Sequence, residues 1–399
     1  MNNNINSNRL APYKPPAWLL LACAAAIIIG IIALIAGFMI GPALDAWLWL
    51  IVGFVYFGGI ANGILAWAAI FRVAQARWTP AVNRLGHSLI LFVPVLFITL
   101  VVLLSGARGF VPWIAHSIPE KSAWLNVPFM VARNIILLSS LWILYYLLVR
   151  WSLAADARAD RGEEITSQDQ YRLTAVGIAA VLMYTIASTI MSYDFIMSLS
   201  PEWVSTMFAP YYFCTNMYVG MAVLILIASL LRGPLGVERY LKAQHFHDMG
   251  NLMLGFCLFT MGLFFAQYLT IWYADLHFET RFLILRYYRG SWPILGWTAF
   301  IIGYAIPFIL LQSRGLKRNP RMLAPVAVLA IIGVALERYV LVVPSLKPQD
   351  LLISPVSGLG LLIFLGAFIL AIILFFARYS PVSAAQEALN EVEKQEVMQ

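Results

Sequence analysis

Residues 192–213 read SYDFIMSLSPEWVSTMFAPYYF, and they join two long apolar runs of the chain. Asp194 lies where the first run ends, and a Pro–Glu–Trp turn precedes the second run. Outward from this turn, apolar runs of about 20 residues alternate with polar connections, which is typical of helices that cross a bilayer. The sequence therefore predicts an all-α polytopic membrane protein with about ten transmembrane helices. We number the predicted helices as spans 1 to 10, at 17–40, 47–71, 85–105, 127–149, 173–197, 207–231, 249–274, 293–312, 322–344 and 357–377.

The composition supports a lipid environment for most of the surface. The chain is 62% hydrophobic and 11% charged, with a mean hydropathy of +0.82. A soluble domain carries about 25% charged residues, so this chain could not cover its surface with polar groups. No basic stripe interleaved with aromatic residues is present, so a nucleic acid is not an expected partner.

The basic residues indicate an orientation. Most of the 26 lysines and arginines lie in the two tails and in the connections after spans 2, 4, 6 and 8. By the positive-inside rule both termini are then cytoplasmic, and the turn at 192–206 faces the other side, which is the periplasm in a bacterium. We predict a cytoplasmic tail at 1–16, a transmembrane domain at 17–377 and a cytoplasmic tail at 378–399.

A weak internal repeat suggests how the spans are grouped. The stretch RLGHSLILF opens span 3, and HFHDMGNLMLGF opens span 7, four spans later. The recurrence of similar sequences four spans apart predicts two four-helix bundles, spans 2–5 and spans 6–9, flanked by spans 1 and 10.

The cysteines and histidines do not form a pattern for a redox centre. Cys23, Cys214 and Cys257 fall inside predicted spans, where buried cysteine is usually an apolar filler, and no haem-attachment motif is present. Of the histidines, only His87 falls plausibly inside a span, near one end, whereas a membrane b-type haem needs two facing imidazoles. We therefore expect no metal or redox centre in this chain.

Four charged residues fall inside predicted spans at similar depth: Arg133, Asp194, Glu337 and Arg338. A charge near the bilayer centre costs about 2.5–3.5 kcal/mol, so such residues are usually paired or line a polar path. Two interpretations stay open, namely a structural ion-pair network and a proton or ligand site.

A second polar group lies at the predicted cytoplasmic ends of the helices. It comprises His87 in span 3 and His245, His247 and Asp248 at the start of span 7. Histidine titrates near pH 6.5, so this group is suited to proton uptake. The alternative is that these residues only cap helices in contact with water.

Two motifs carry a resemblance to a known family. They are D-x-x-x-S-L-x-P-x-W-x-S-T-x-F, from Asp194 to Phe208, and F-x-Q-Y-x-x-I-W-Y-A-x-x-x-x-E-T, from Phe265 to Thr280. The chain resembles the F subunit of alternative complex III, a bacterial quinol:cytochrome c (or cupredoxin) oxidoreductase. That subunit belongs to the wider NrfD/polysulfide-reductase group of membrane subunits.

The resemblance implies a non-catalytic, multi-pass subunit of the bacterial inner membrane. The expected partners are a paralogous quinol-binding C subunit, periplasmic multi-haem cytochrome and iron–sulfur subunits, other small membrane subunits and lipids. Haem c and iron–sulfur clusters would belong to the partners, quinol to the C subunit, and no cofactor to this chain. The polar residues would contribute to a proton route, and Glu202 and Trp203 would dock the periplasmic partners.

Two other functions stay open from the sequence. The chain could bind quinol directly, as an NrfD-type enzyme component. It could also be an independent secondary transporter, which would favour helices broken by glycine or proline at mid-membrane. Pro94, Pro307 and Pro325 fall inside spans but form no paired pattern.

Overall fold

The computed structural model describes residues 12–76, 80–116, 118–159, 161, 163 and 166–382. Within these residues, ten helical segments are long and apolar enough to cross a membrane, as predicted. Most of each predicted tail, residues 1–11 and 383–399, lies outside the described residues. The ten spans are Ala17–Met39, Ala43–Val73, Pro80–Ser105, Val127–Ala159, Ser167–Leu199, Phe208–Leu231, Ala243–Ala274, Trp292–Leu310, Pro320–Leu346 and Pro355–Arg378.

Spans 4, 5 and 7 are longer than the sequence predicted. Span 4 continues to Ala159, and span 5 begins at Ser167, where Thr166 accepts a hydrogen bond from the Asp169 backbone N–H. Hydropathy marks only the part of a helix that lipid can surround, whereas charged helical turns can continue into water.

Two spans contain irregular turns close to prolines. In span 3 a 3₁₀ segment, Ser88–Phe92, precedes Pro94. In span 8 a π-helical turn, Ile301–Ala305, precedes Pro307. Proline has no N–H to offer the carbonyl one turn earlier, so local changes in helix type accommodate it.

The helix contacts form the two predicted bundles. In the first bundle span 2 contacts span 3, span 3 contacts span 4, span 4 contacts span 5, and span 5 returns to span 2. In the second bundle spans 6, 7, 8 and 9 form the same closed sequence of contacts. Spans 2 and 6 are the most buried of the ten and form the main interface between the bundles.

Small residues bring spans 2 and 6 into close contact. A Cβ atom added at Gly63 would lie 2.4 Å from the Asn216 carbonyl oxygen, so the helix backbones nearly touch there. The Trp67 indole N–H donates to the Met217 carbonyl at 2.9 Å across the same interface. Packing of small residues is a main source of helix association in lipid, where the hydrophobic effect between helices is absent.

Spans 1 and 10 pair with each other outside the bundles. A Cβ atom at Gly366 of span 10 would lie 2.9 Å from the Cys23 carbonyl oxygen of span 1. Span 10 also packs on span 3, whereas most of span 1 is exposed. This confirms the predicted flanking positions.

Ten crossings bring the start of span 1 and the end of span 10 to one side. We call this the termini side, and it carries the connections after spans 2, 4, 6 and 8. The connections after spans 1, 3, 5, 7 and 9 lie on the opposite side, and the connection after span 7 contains a helix, His277–Tyr287.

Candidate functional site

Arg133 and Asp194 form a buried ion pair between spans 4 and 5. The Arg133 Nε donates to Asp194 Oδ2 at 2.7 Å, and its Nη2 donates to Oδ1 at 2.5 Å. The Asn134 amide adds a third bond to Oδ2 at 2.5 Å. The guanidinium also lies over the Trp124 ring, 4.2 Å from its centroid, and donates to the Trp124 carbonyl. Both oxygens of Asp194 are therefore held, in the bidentate geometry that makes such pairs strong.

Glu337 and Arg338 form a second buried pair, in span 9. The Arg338 Nη1 donates to Glu337 Oε1 at 2.9 Å, and its Nη2 donates to Asn216 Oδ1 at 2.9 Å. The Tyr304 hydroxyl of span 8 donates to Glu337 Oε2, and Arg338 also lies over the Tyr212 ring at 4.4 Å. Among the described residues, Glu337 is therefore contacted by one cation, Arg338, and by the neutral hydroxyls of Tyr304 and Tyr211.

The π-helical turn in span 8 places Tyr304 beside Glu337. At this turn Gly303 lies against Gly333 of span 9, where an added Cβ atom would come within 2.0 Å of the Gly303 Cα. The Gly303 carbonyl accepts a hydrogen bond from the Tyr218 hydroxyl at 2.7 Å. A π-helical turn often marks a functional position in a helix, because it shifts the side chains that follow.

A small cavity adjoins Glu337. Its volume is about 10 Å³, which is enough for about one water molecule. Its lining includes Tyr211, Thr260, Tyr287 and Tyr304 together with apolar residues such as Phe264. Tyr287 ends the 277–287 helix, so the cavity lies towards the opposite side. Glu337 is thus a buried carboxylate next to a space of water size.

The four predicted charges do not form one network. Arg133 and Asp194 belong to the first bundle, while Glu337 and Arg338 belong to the second, and each pair has its own set of partners. The prediction of a single network is wrong, because it was based on similar depth alone, although the predicted grouping already placed spans 4 and 5 in one bundle and span 9 in the other.

The predicted histidine group is also divided between the bundles. His87 is buried at the termini side of the first bundle and lines a cavity of about 820 Å³. His245, by contrast, lies in the second bundle, where its Nδ1 accepts the Lys242 backbone N–H at 2.9 Å and caps span 7. The four residues therefore do not form a single group, and His245 caps span 7 as the alternative interpretation predicted.

His247 and Asp248 belong to a polar cluster in the second bundle. The His247 Nδ1 lies 3.5 Å from Asp248 Oδ1 and 3.3 Å from the Asn251 amide. Asn251 in turn accepts from the Lys317 Nζ at 2.7 Å, although Lys317 belongs to the connection after span 8. This cluster lies where span 7 begins, at the termini side of the bundle that contains Glu337.

The predicted docking turn is only partly exposed. Glu202 is exposed and lies 3.6 Å from the Arg281 guanidinium. Trp203, however, is 2% exposed and stacks on Phe282 with ring centroids 3.6 Å apart. Trp203 therefore does not belong to a docking surface, because it fixes the turn to the 277–287 helix instead.

Arg286 is a buried residue that the sequence analysis missed. Its guanidinium donates to the carbonyls of Phe282, Val340 and Leu341 at 2.9–3.0 Å and to the Ser345 hydroxyl at 2.7 Å. Burial lowers the pKa of Arg286 to about 9, so the group is still charged at neutral pH. The only sequence signal was its apolar setting, FLILRYY.

No group of three or more histidine, cysteine, aspartate or glutamate residues in the described part of the chain could hold a metal ion. The three cysteines are buried and free. No family model matches the chain, and no curated protein matches it.

Proposed function

We propose that the chain is a membrane subunit of a quinol-oxidising electron-transfer complex, and that Glu337 carries protons within it. The observation that carries this proposal is the setting of Glu337, a buried carboxylate held by Arg338 and Tyr304 beside a cavity of water size. Quinol oxidation releases protons as well as electrons, so a subunit without redox groups of its own can still contribute a proton route.

The two carboxylates differ in how easily a proton can reach them. Both oxygens of Asp194 are occupied by Arg133 and Asn134, so a proton would have to displace a bidentate ion pair. Glu337 is contacted by the neutral hydroxyls of Tyr304 and Tyr211, which can themselves pass on a proton, and a water molecule can lie in the adjoining cavity. We therefore assign the structural role to Asp194 and the proton-carrying role to Glu337.

The termini side of the same bundle supplies a candidate for proton uptake. His247 and Asp248 lie at the start of span 7, in contact with Asn251. The imidazole and the carboxylate are both partly exposed there, so the cluster can exchange protons with water at the termini side. Glu337 lies about 26 Å along span 9 from its start, in the half of the membrane near the opposite side.

The partners and location follow from the two family-like motifs and from the charge distribution. We place the chain in a bacterial inner membrane with the termini side in the cytoplasm, because the basic connections lie there. A paralogous quinol-binding C subunit would supply the electrons. Periplasmic multi-haem and iron–sulfur subunits would pass them to a c-type cytochrome or a copper protein.

Purification in a mild detergent tests the assembly. We expect the tagged chain to elute together with c-type haem absorbance and with iron–sulfur protein. A monodisperse particle without haem would contradict the proposal and would favour an independent transporter.

Cysteine labelling from outside intact cells tests the orientation. The native cysteines are buried, so a background signal is not expected. Thr206→Cys, on the opposite side, should react with an impermeant maleimide, and Ser167→Cys, on the termini side, should be protected. The reverse pattern would contradict the assigned orientation.

A second candidate function is direct quinol binding on the opposite side. A cavity of about 440 Å³ there has Trp124, Tyr193 and Trp203 in its lining, together with Lys121 and Ser198. Binding cavities of this size commonly combine aromatic walls with a few polar groups. Saturable binding of a short-chain quinone to the separated chain, weakened by Tyr193→Ala, would favour this function.

A further inference from the structure

The cavity of about 820 Å³ at the termini side of the first bundle has a lining rich in basic and neutral polar residues. It lies where span 2 ends and span 3 begins, next to the extensions of spans 4 and 5. We call it the Arg72 cavity. Its lining combines Arg72, Arg84 and His87 with Asp156 and several neutral polar side chains.

Positive charge exceeds negative charge in this lining. Arg84 donates to Asp156 Oδ2 at 2.8 Å through its Nη1 and to the Ser380 carbonyl at 3.0 Å through its Nε. Asp156 is the single carboxylate among the described lining residues, against the guanidiniums of Arg84 and Arg72. Arg72, which supplies the surplus, is partly buried, so its charge is stabilised when an anion compensates it.

Two buried nitrogen atoms in the lining have no hydrogen-bond partner. One is the Nδ1 of His87, a residue that is 6% exposed, and the other is the Nε of Arg72. Arg72 uses its Nη2 to contact Gln170, so its Nε is still available as a donor. Buried polar atoms are nearly always satisfied by protein, water or ligand. The Arg72 Nε–H is a donor, and the His87 Nδ1 is a donor in the tautomer that carries its hydrogen there.

The location suits a phosphate group. The cavity opens at the end of the membrane spans, and Tyr171 at its rim is 75% exposed, as is common for aromatic residues at a membrane interface. Guanidinium groups bind phosphate oxygens through paired N–H donors. Basic cavities between transmembrane helices are known sites for anionic lipid headgroups.

We propose that the Arg72 cavity binds a phosphate group, with the Arg72 guanidinium and the His87 imidazole as donors. The phosphate can come from the headgroup of an anionic phospholipid or from free phosphate in solution. The volume of the cavity, about 820 Å³, leaves room for a headgroup beyond the phosphate itself.

Binding to the full-length protein in detergent tests this site. The probes are ³²P-labelled short-chain phosphatidylglycerol and ³²P-labelled inorganic phosphate, measured by scintillation proximity. Short-chain diacylglycerol, which lacks the phosphate, serves as an unlabelled competitor. Arg72→Gln removes the charge in the cavity, and Arg172→Gln makes the same change at an exposed position outside it.

We expect Arg72→Gln to weaken binding about tenfold or more, because it removes charge-assisted hydrogen bonds, and Arg172→Gln to bind like the wild type. This pattern with phosphatidylglycerol identifies a lipid headgroup as the ligand. The same pattern with inorganic phosphate alone identifies free phosphate. Equal binding by the wild type and Arg72→Gln, no saturable binding of either probe, or displacement of the lipid by diacylglycerol at equal concentration would overturn the proposal.

Discussion

The two bundles have the same order of helix contacts and each buries an ion pair, but the pairs are built differently. In the first bundle Asp194 is closed in by Arg133 and Asn134 on both oxygens. In the second bundle Arg338 donates to one oxygen of Glu337 and Tyr304 donates to the other, next to a cavity. The same scaffold can therefore use one carboxylate to join helices and the other to exchange protons.

Breaking the closed pair should have the largest effect on stability. Arg133→Met leaves the Asp194 carboxylate buried without a cation, which costs about 3–5 kcal/mol. We expect a large drop in the thermal unfolding midpoint in detergent, together with poor recovery of the protein from membranes.

Arg150→Met, at an exposed position of the same span, is the matched control and should unfold like the wild type. A similar midpoint for Arg133→Met and Arg150→Met would mean that the first pair does not hold its bundle together.

Adding a methyl group at the π-helical turn should have a smaller effect on stability, and this effect should be confined to the second bundle. In Gly333→Ala the added methyl group meets the Gly303 backbone at 2.0 Å, so spans 8 and 9 must separate. Overpacking of this kind costs about 1–3 kcal/mol, and the separation moves Tyr304 away from Glu337. Unfolding in detergent and proton release by the assembled complex measure the two consequences.

Gly262→Ala is the control for this change, because an added Cβ atom at Gly262 meets nothing within 4 Å. It should be neutral or slightly stabilising, since alanine favours a helix more than glycine does. Equal effects of the two substitutions would show that the close approach of spans 8 and 9 does not support the site.

The smallest expected effect on stability comes from breaking an ion pair that joins the two bundles on the opposite side. Lys347, just after span 9, lies 2.5 Å from Asp45 at the start of span 2, and this contact raises the pKa of Lys347. Lys347→Gln should cost about 1 kcal/mol, because Lys347 is itself partly exposed and the buried Asp45 carboxylate keeps the hydrogen bond from the Ser354 backbone N–H.

The effect of Lys347→Gln should depend on pH. A raised pKa means that the pair contributes its full stability below the ordinary lysine pKa of about 10.4 and loses it as the pH rises through the raised value. The variant should therefore be less stable than the wild type at pH 8, and the difference should shrink above pH ~10.4. A difference in unfolding midpoint that stays constant across this range would exclude the ion pair as its cause.

The sequence predicted the ten spans and their grouping because lipid imposes a long apolar run on every crossing helix. Depth alone did not show which charges meet: Arg133 and Glu337 have similar depth, and only the predicted grouping of the spans separates them into different bundles. The burial of Trp203 was missed since its partner, Phe282, belongs to a different connection. Tyr304 was missed because a neutral hydroxyl in an apolar span gives little signal, and its position depends on the π-helical turn.

The assignment of Glu337 as the proton carrier is tested most directly by the number of protons released per electron. The measurement uses the assembled complex in liposomes, normalised to its haem content. Glu337→Gln keeps the shape of the side chain but cannot titrate, Asp194→Asn makes the same change in the first pair, and Glu202→Gln makes it at an exposed position. We predict a lower ratio for Glu337→Gln and the wild-type ratio for the other two assembled variants. A wild-type ratio in Glu337→Gln, or an equal loss in Asp194→Asn, would contradict the account.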